Sequence, residues 1–146
     1  MQKQLLREIL SQNQLSCSFA FQKINNETVN LRLNPSAASV GFMYRHIGET
    51  MNLFGFFFGL PSTVTNTTMG EKDENKSYNL EESHRMVQKG FKMLEKLIEK
   101  STDSSWNDEI DTPFFGKVSK IKLFSHVLFH NSHHAGQIAL TIAKGA

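Results

Sequence analysis

The chain has 146 residues, a length that one domain can fill, with 39% of them hydrophobic, enough for a sizeable core without covalent help. Its one cysteine, Cys17, excludes an internal disulfide framework and a cysteine-built zinc site. Sixteen basic side chains are interleaved with 14 acidic ones for a formal charge of +2, so no nucleic-acid footprint stands out.

The chain opens with MQKQLLREILSQNQ, an amphipathic helical pattern rather than the layout of a secretory signal. No window approaches the roughly 18 apolar residues of a membrane span. A reducing cytoplasm is the expected setting. The first helix, residues 2 to 24, directs Leu5, Leu6, Ile9, Leu10, Phe19 and Ile24 toward a core, with Cys17 as a small buried residue. Asn25-Asn26 breaks it, and a connection follows to Asn34-Pro35, a pair that suits a loop entering a helix.

A second helix is expected over 36 to 59, capped by Ser36 or Ser39 and ended by Gly59-Leu60-Pro61. It is unusually apolar. Phe56, Phe57 and Phe58 together span most of its circumference, so a second copy of the chain or a later loop must cover part of it. His46 sits among Phe42, Met43, Ile47 and Met51, where a satisfied core histidine is the simplest expectation. Glu49, on the same face, has three readings: a partner to a ligand, a base acting on metal-bound water, or, by default, a solvated carboxylate.

Residues 61 to 78 are polar and lack periodicity, as expected of a lid or a disordered connection. The Asn66-Thr67-Thr68 sequon would be idle in a cytoplasmic protein. A third helix starts at Asn79, with Glu82 in capping-box position, and runs to Lys100 along Val87, Phe91, Leu94 and Ile98. His84 lies off that stripe and should be exposed. Residues 101 to 117 form an irregular connection with Trp106 as a packing anchor and the pair Phe114-Phe115.

The last helix, 118 to 144, has Ser119 as its cap and Gly145 at its end. Four of the six histidines fall within it at 126, 130, 133 and 134. Relative to His126, the other three project at roughly +40°, −20° and +80°, so all four share a face. Two i, i+4 pairs can each converge on one ion, His126/His130 and His130/His134, and spacing does not choose between them. The glutamate of a zinc-protease helix is absent, since position 131 is Asn. A solvated polar face is the competing reading, which the doubled repeat on an otherwise apolar helix disfavours. Together the elements describe an all-α single domain over 1–146, an antiparallel four-helix bundle of the kind that builds metal sites from facing helices.

His46 after an Asn-Pro-Ser loop, Phe-Gly-Lys before the last helix, and the run His130-x-x-His133-His134-x-Gly-Gln137 resemble the DinB/YfiT-like metal-binding superfamily. The resemblance extends over nearly the whole chain in helix order and loop placement. It implies a four-helix bundle, frequently homodimeric, with a divalent metal held by His46, His130 and His134. His126 and His133 then become neighbours of the site. Ala135 stands where a common version of the motif has arginine, so any role of that arginine is missing here.

Characterised relatives include transferases and isomerases that use low-molecular-weight thiols, although no thiol-binding motif is matched in this sequence. Three neutral imidazoles leave an open coordination position and suit Zn²⁺, Ni²⁺ or Fe²⁺. The expected chemistry is metal-activated thiolate or hydroxide attack on a small electrophile, with Glu49 as a candidate base and the 61 to 78 connection as a lid. An expectation of another class is a non-catalytic metal-binding stress-response or sensor dimer.

Overall fold

Three helices begin at a side-chain cap. Ser39 accepts from the Phe42 amide ahead of α2 (Val40–Phe54), Asn79 from the Glu82 amide ahead of α3 (Leu80–Lys100), and Ser119 from the Lys122 amide ahead of α4 (Lys120–Lys144). Each cap satisfies an amide that has no partner inside its own first turn. α1 (Gln2–Phe21) starts at Met1 without such a bond. The computed structural model describes all of residues 1–146.

The expected bounds shift at several ends. α2 stops at Phe54 instead of 59, because Gly55 accepts a close approach of the Leu60 carbonyl that a Cβ would block. Residues 55–59 continue as tight turns, each amide bonding three residues back. Val118 and Ser119 belong to a strand rather than to the last helix. The connection after α3 is therefore not irregular: a 3₁₀ turn (Ser104–Asn107) leads into an antiparallel hairpin of β1 (Glu109–Thr112) and β2 (Gly116–Ser119). The chain is a four-helix bundle with a small two-stranded sheet, so all-α describes it only in the main.

Leu6, Leu10, Cys17 and Ala20 of α1 enter the core, but Leu5, Ile9 and Phe19 do not, Phe19 being 63% exposed. Two apolar stripes run along α1, and only one faces inward. On α3 the expected stripe of Val87, Phe91, Leu94 and Ile98 is fully buried. It packs on α2 at very short range, since a Cβ on Gly90 would lie 2.6 Å from the Met51 Cβ and one on Gly48 2.9 Å from the Met86 Cβ. Trp106 is buried edge-on against Phe124 of α4, as its anchoring role required.

The phenylalanine run is covered in part by a later segment. Phe114, at the hairpin turn, stacks on Phe54 at 5.6 Å and meets Phe57 edge-on, while Phe56 stays exposed. At the other end, Arg32 and Ala146 exchange two backbone bonds, of 3.1 and 2.9 Å, tying the α1–α2 connection to the end of α4. No helix is long and apolar enough to cross a membrane.

Candidate metal centre

α2 carries His46 on the side turned toward α4, and α4 returns His130 and His134 from successive turns. The ring centroids are 4.9 Å apart for His46 and His130, 4.8 Å for His46 and His134, and 4.5 Å for His130 and His134. His46 Nε2 and His130 Nε2 approach to 3.0 Å. One nitrogen from each ring can be chosen so that all three lie within 4.8 Å of one another. Tetrahedral zinc with imidazole bonds of 2.0–2.1 Å separates its ligand nitrogens by about 3.3 Å, so small ring rotations reach that geometry.

Electrostatics favour the ligand form of each ring. Burial, reinforced by His134, lowers the pKa of His46 to about 4, against a weaker upward pull from Glu49. Burial and the surrounding imidazoles bring His130 down to about 2. His134 is also lowered, chiefly by burial, with Gln137 opposing. Near neutral pH all three therefore carry lone pairs, as a metal requires. His134 Nδ1 lies 2.6 Å from Gln137 Oε1, an acceptor, so this nitrogen donates and Nε2 stays free. His130 Nδ1 is buried without a partner. The residues present fit a divalent ion.

The structure separates the two i, i+4 pairs that spacing left equal. His126 packs edge-on against Phe115 at 4.6 Å and near Phe54, with its ring 6.2 Å from that of His130. It belongs to the aromatic cluster rather than to the convergent group. His133 is exposed beside His134. His84 is exposed as expected, although its Nδ1 lies 2.9 Å from the Tyr44 hydroxyl.

Glu49 departs from its default. It is wholly buried, not solvated, and both carboxylate oxygens are occupied by Thr67 and Thr68 of the 61–78 connection. Oε2 takes three of these bonds and Oε1 the fourth, so the carboxylate is turned onto the threonines, out of solvent, and is badly placed to act as a base. Thr68 also touches His46, its Oγ1 lying 3.2 Å from Nδ1. The connection is held a second time at Asp73, which accepts from the Ser39 amide and from Arg32, both at 2.8 Å. Burial pushes the Asp73 carboxyl up, but the backbone and side chain of Ser39, the Asn75 amide and Arg32 together hold it below its ordinary pKa.

Beside the histidines opens a cleft of about 480 Å³, walled by Leu33, Phe42 and Met43 and bordered by Thr68, Glu71, His134 and Gln137. Sequence reasoning missed Thr67, Thr68 and Asp73 as parts of the site. Thr67 and Thr68 were visible only as a sequon, although Asn66 signals a turn: its Oδ1 accepts from the Thr68 and Met69 amides. Arg45 was missed too. Buried on α2, it bonds Ser83 and Glu82, which diverts Glu82 from the expected capping box.

Two solved structures share this fold across nearly their whole length. TT2238, described as a four-helix bundle protein, superposes with a TM-score of 0.69 at 12% identity, covering 94% of this chain and 98% of its own. A DinB-like protein, YjoA of Bacillus subtilis, gives 0.65 at 17% identity, covering 96% and 90%. No curated protein matches this sequence. The family model of the DinB superfamily matches residues 10–138. With the match running from the middle of α1 to the inner turns of α4, the chain is a member of the DinB superfamily.

Proposed function

We propose that this protein binds a divalent metal through His46, His130 and His134 and works as a metal-dependent transferase or hydrolase on a small electrophile, with a low-molecular-weight thiol as co-substrate. The observation that carries this reading is the convergence of three imidazoles from two helices, each held neutral by burial. Zn²⁺ and Ni²⁺ suit such a nitrogen set best, and Fe²⁺ is compatible with it. Bound there, the ion would supply a Lewis acid that makes a nucleophile available near neutral pH.

The chain's own residues do the rest. Gln137 orients His134, and the 61–78 connection closes one side of His46. Leu33, Phe42 and Met43 give an apolar wall to a cleft large enough for a small molecule. A reducing, cytoplasmic setting would keep a thiol co-substrate in its active form.

One observation favours a second reading, a metal-binding stress-response or sensor protein without turnover. The carboxylate nearest in sequence to the ligands is buried and bound to Thr67 and Thr68, and the one at the cleft's border, Glu71, is exposed. Metal content per chain, measured on untagged protein, tests what the two readings share. Near-stoichiometric Zn, Ni or Fe in wild type, lost in His46→Ala and in His134→Ala, is the expected result. Wild type that stays empty after reconstitution would refute both. Turnover of a test electrophile with thiol, present in wild type and abolished in His130→Ala, then separates enzyme from sensor.

A further inference from the structure

Glu49 accepts four hydrogen bonds: from the Thr67 amide at 2.9 Å, the Thr67 hydroxyl at 2.5 Å, the Thr68 amide at 2.9 Å and the Thr68 hydroxyl at 2.6 Å. A carboxylate offers about four lone-pair directions over its two oxygens. Three of the bonds fall on Oε2 and one on Oε1; two of the three come from backbone amides, which can only donate, so Oε2 carries no proton and accepts from the Thr68 hydroxyl as well. The Thr68 hydroxyl owns one proton, and that proton lies on the bond to Glu49. What it turns toward His46 Nδ1 at 3.2 Å is therefore a lone pair. The imidazole must donate there. Nδ1 carries the hydrogen, and Nε2, 3.0 Å from His130 Nε2, keeps its lone pair.

We propose that Thr68 is a positioning residue: braced by Glu49, it fixes His46 as the Nδ1–H tautomer and points the Nε2 lone pair at His130 and His134. The connection between α2 and α3 thereby becomes a working part of the centre rather than a cover over it. Asn66 holds the two threonines in register through the turn its side chain closes. The carboxylate–hydroxyl–imidazole chain does what a carboxylate does directly in many metal sites, setting ring orientation and raising ligand basicity. Its purpose rests on the metal reading above, whereas the tautomer does not.

The test uses the full chain with ¹⁵N-labelled histidine, free of metal, at pH 7.5. Long-range ¹H–¹⁵N spectra report which nitrogen of His46 bears the proton, and a competition titration against a chromophoric chelator reports Zn²⁺ affinity. Wild type is expected to show protonated Nδ1 and bare Nε2. Thr68→Val should release the ring to the Nε2–H form and weaken Zn²⁺ binding roughly 10- to 100-fold. Thr68→Ser, which keeps the hydroxyl, should restore both. A role in packing alone would be met by the isosteric valine, so unchanged tautomer and affinity in Thr68→Val would overturn the proposal. So would Nε2–H in wild type. If wild type takes up no Zn²⁺, the metal reading fails and the tautomer spectra decide this inference alone.

Discussion

Acidifying the metal-free protein should cost stability in a window set by the buried histidines. Desolvation, then the neighbouring His134, hold the folded-state pKa of His46 at about 4 against an ordinary value of 6.5. Between those values the unfolded chain binds a proton that the folded chain refuses, so stability falls as pH falls. Above about 6.5 the contribution is fully present, and below about 4 nothing further is lost from this group. At about 1.36 kcal/mol per pH unit the gap has a ceiling of about 3 kcal/mol, and solvent reaching the partly exposed ring brings this nearer 2.

His130 shifts in the same direction, to about 2, which carries the loss to lower pH. The two rings touch, so their losses do not add. Urea unfolding followed by circular dichroism at pH 7.5, 6, 5 and 4.5, in chelator, reads the effect directly. A lowered midpoint at unchanged slope is expected across the series, and a shallower dependence in His46→Gln. Equal stability at pH 7.5 and 4.5 would refute the claim that these rings are buried neutral. Zn²⁺ at 100 times its dissociation constant should add about 2.7 kcal/mol at pH 7.5 and progressively less toward pH 4.5.

Gly90→Ala places a Cβ 2.6 Å from the Met51 Cβ, and the overpacking of about 1–3 kcal/mol should exceed the helix-propensity gain of up to about 1 kcal/mol. A raised melting temperature would contradict the close α2–α3 approach. Asp73→Asn weakens the ion pair with Arg32, whose partner carboxylate is 3% exposed, and should lower stability by about 2–4 kcal/mol. Limited proteolysis should then cut first within 61–78, and an unchanged cleavage pattern would remove Asp73 as an anchor. Leu5, Ile9 and Phe19 on α1 and Phe129 and Leu140 on α4 stay exposed on two helices that pack together, and we expect a second copy to cover them. Light scattering should give twice the chain mass, reduced by Phe129→Asp, and a single-chain mass at tens of micromolar would refute this association.

Much of the bundle was legible because its signals are local. Caps at Ser39, Asn79 and Ser119 and the periodic stripe of α3 depend on residues a few positions apart. The histidine cluster was legible for the same reason, since i, i+4 spacing survives any tertiary arrangement. What failed depends on partners distant in sequence. Two stripes on α1 look equally apolar until α4 and α3 select one. The hairpin of β1 and β2 has no alternating run long enough to declare itself against the polar residues around it. Glu49 read as solvated, and Asp73 passed unmarked within a polar stretch, because the threonines, serine and arginine that bury them lie 18 to 41 residues away.

Glu49's engagement bears on which nucleophile the site suits. Water has a pKa near 15.7 in bulk but about 7 on a zinc held by three imidazoles, so such an ion can bring it to hydroxide near neutral pH. A free cysteine-type thiol sits near 8.5 and loses its proton outright on binding a metal, with solvent able to take it. Three neutral imidazoles admit either nucleophile, and with Glu49 buried against the threonines the proton goes to solvent or to a group at the cleft's border. Within the enzymatic reading a thiol makes the smallest demand on such an acceptor, because it brings an acidic proton of its own.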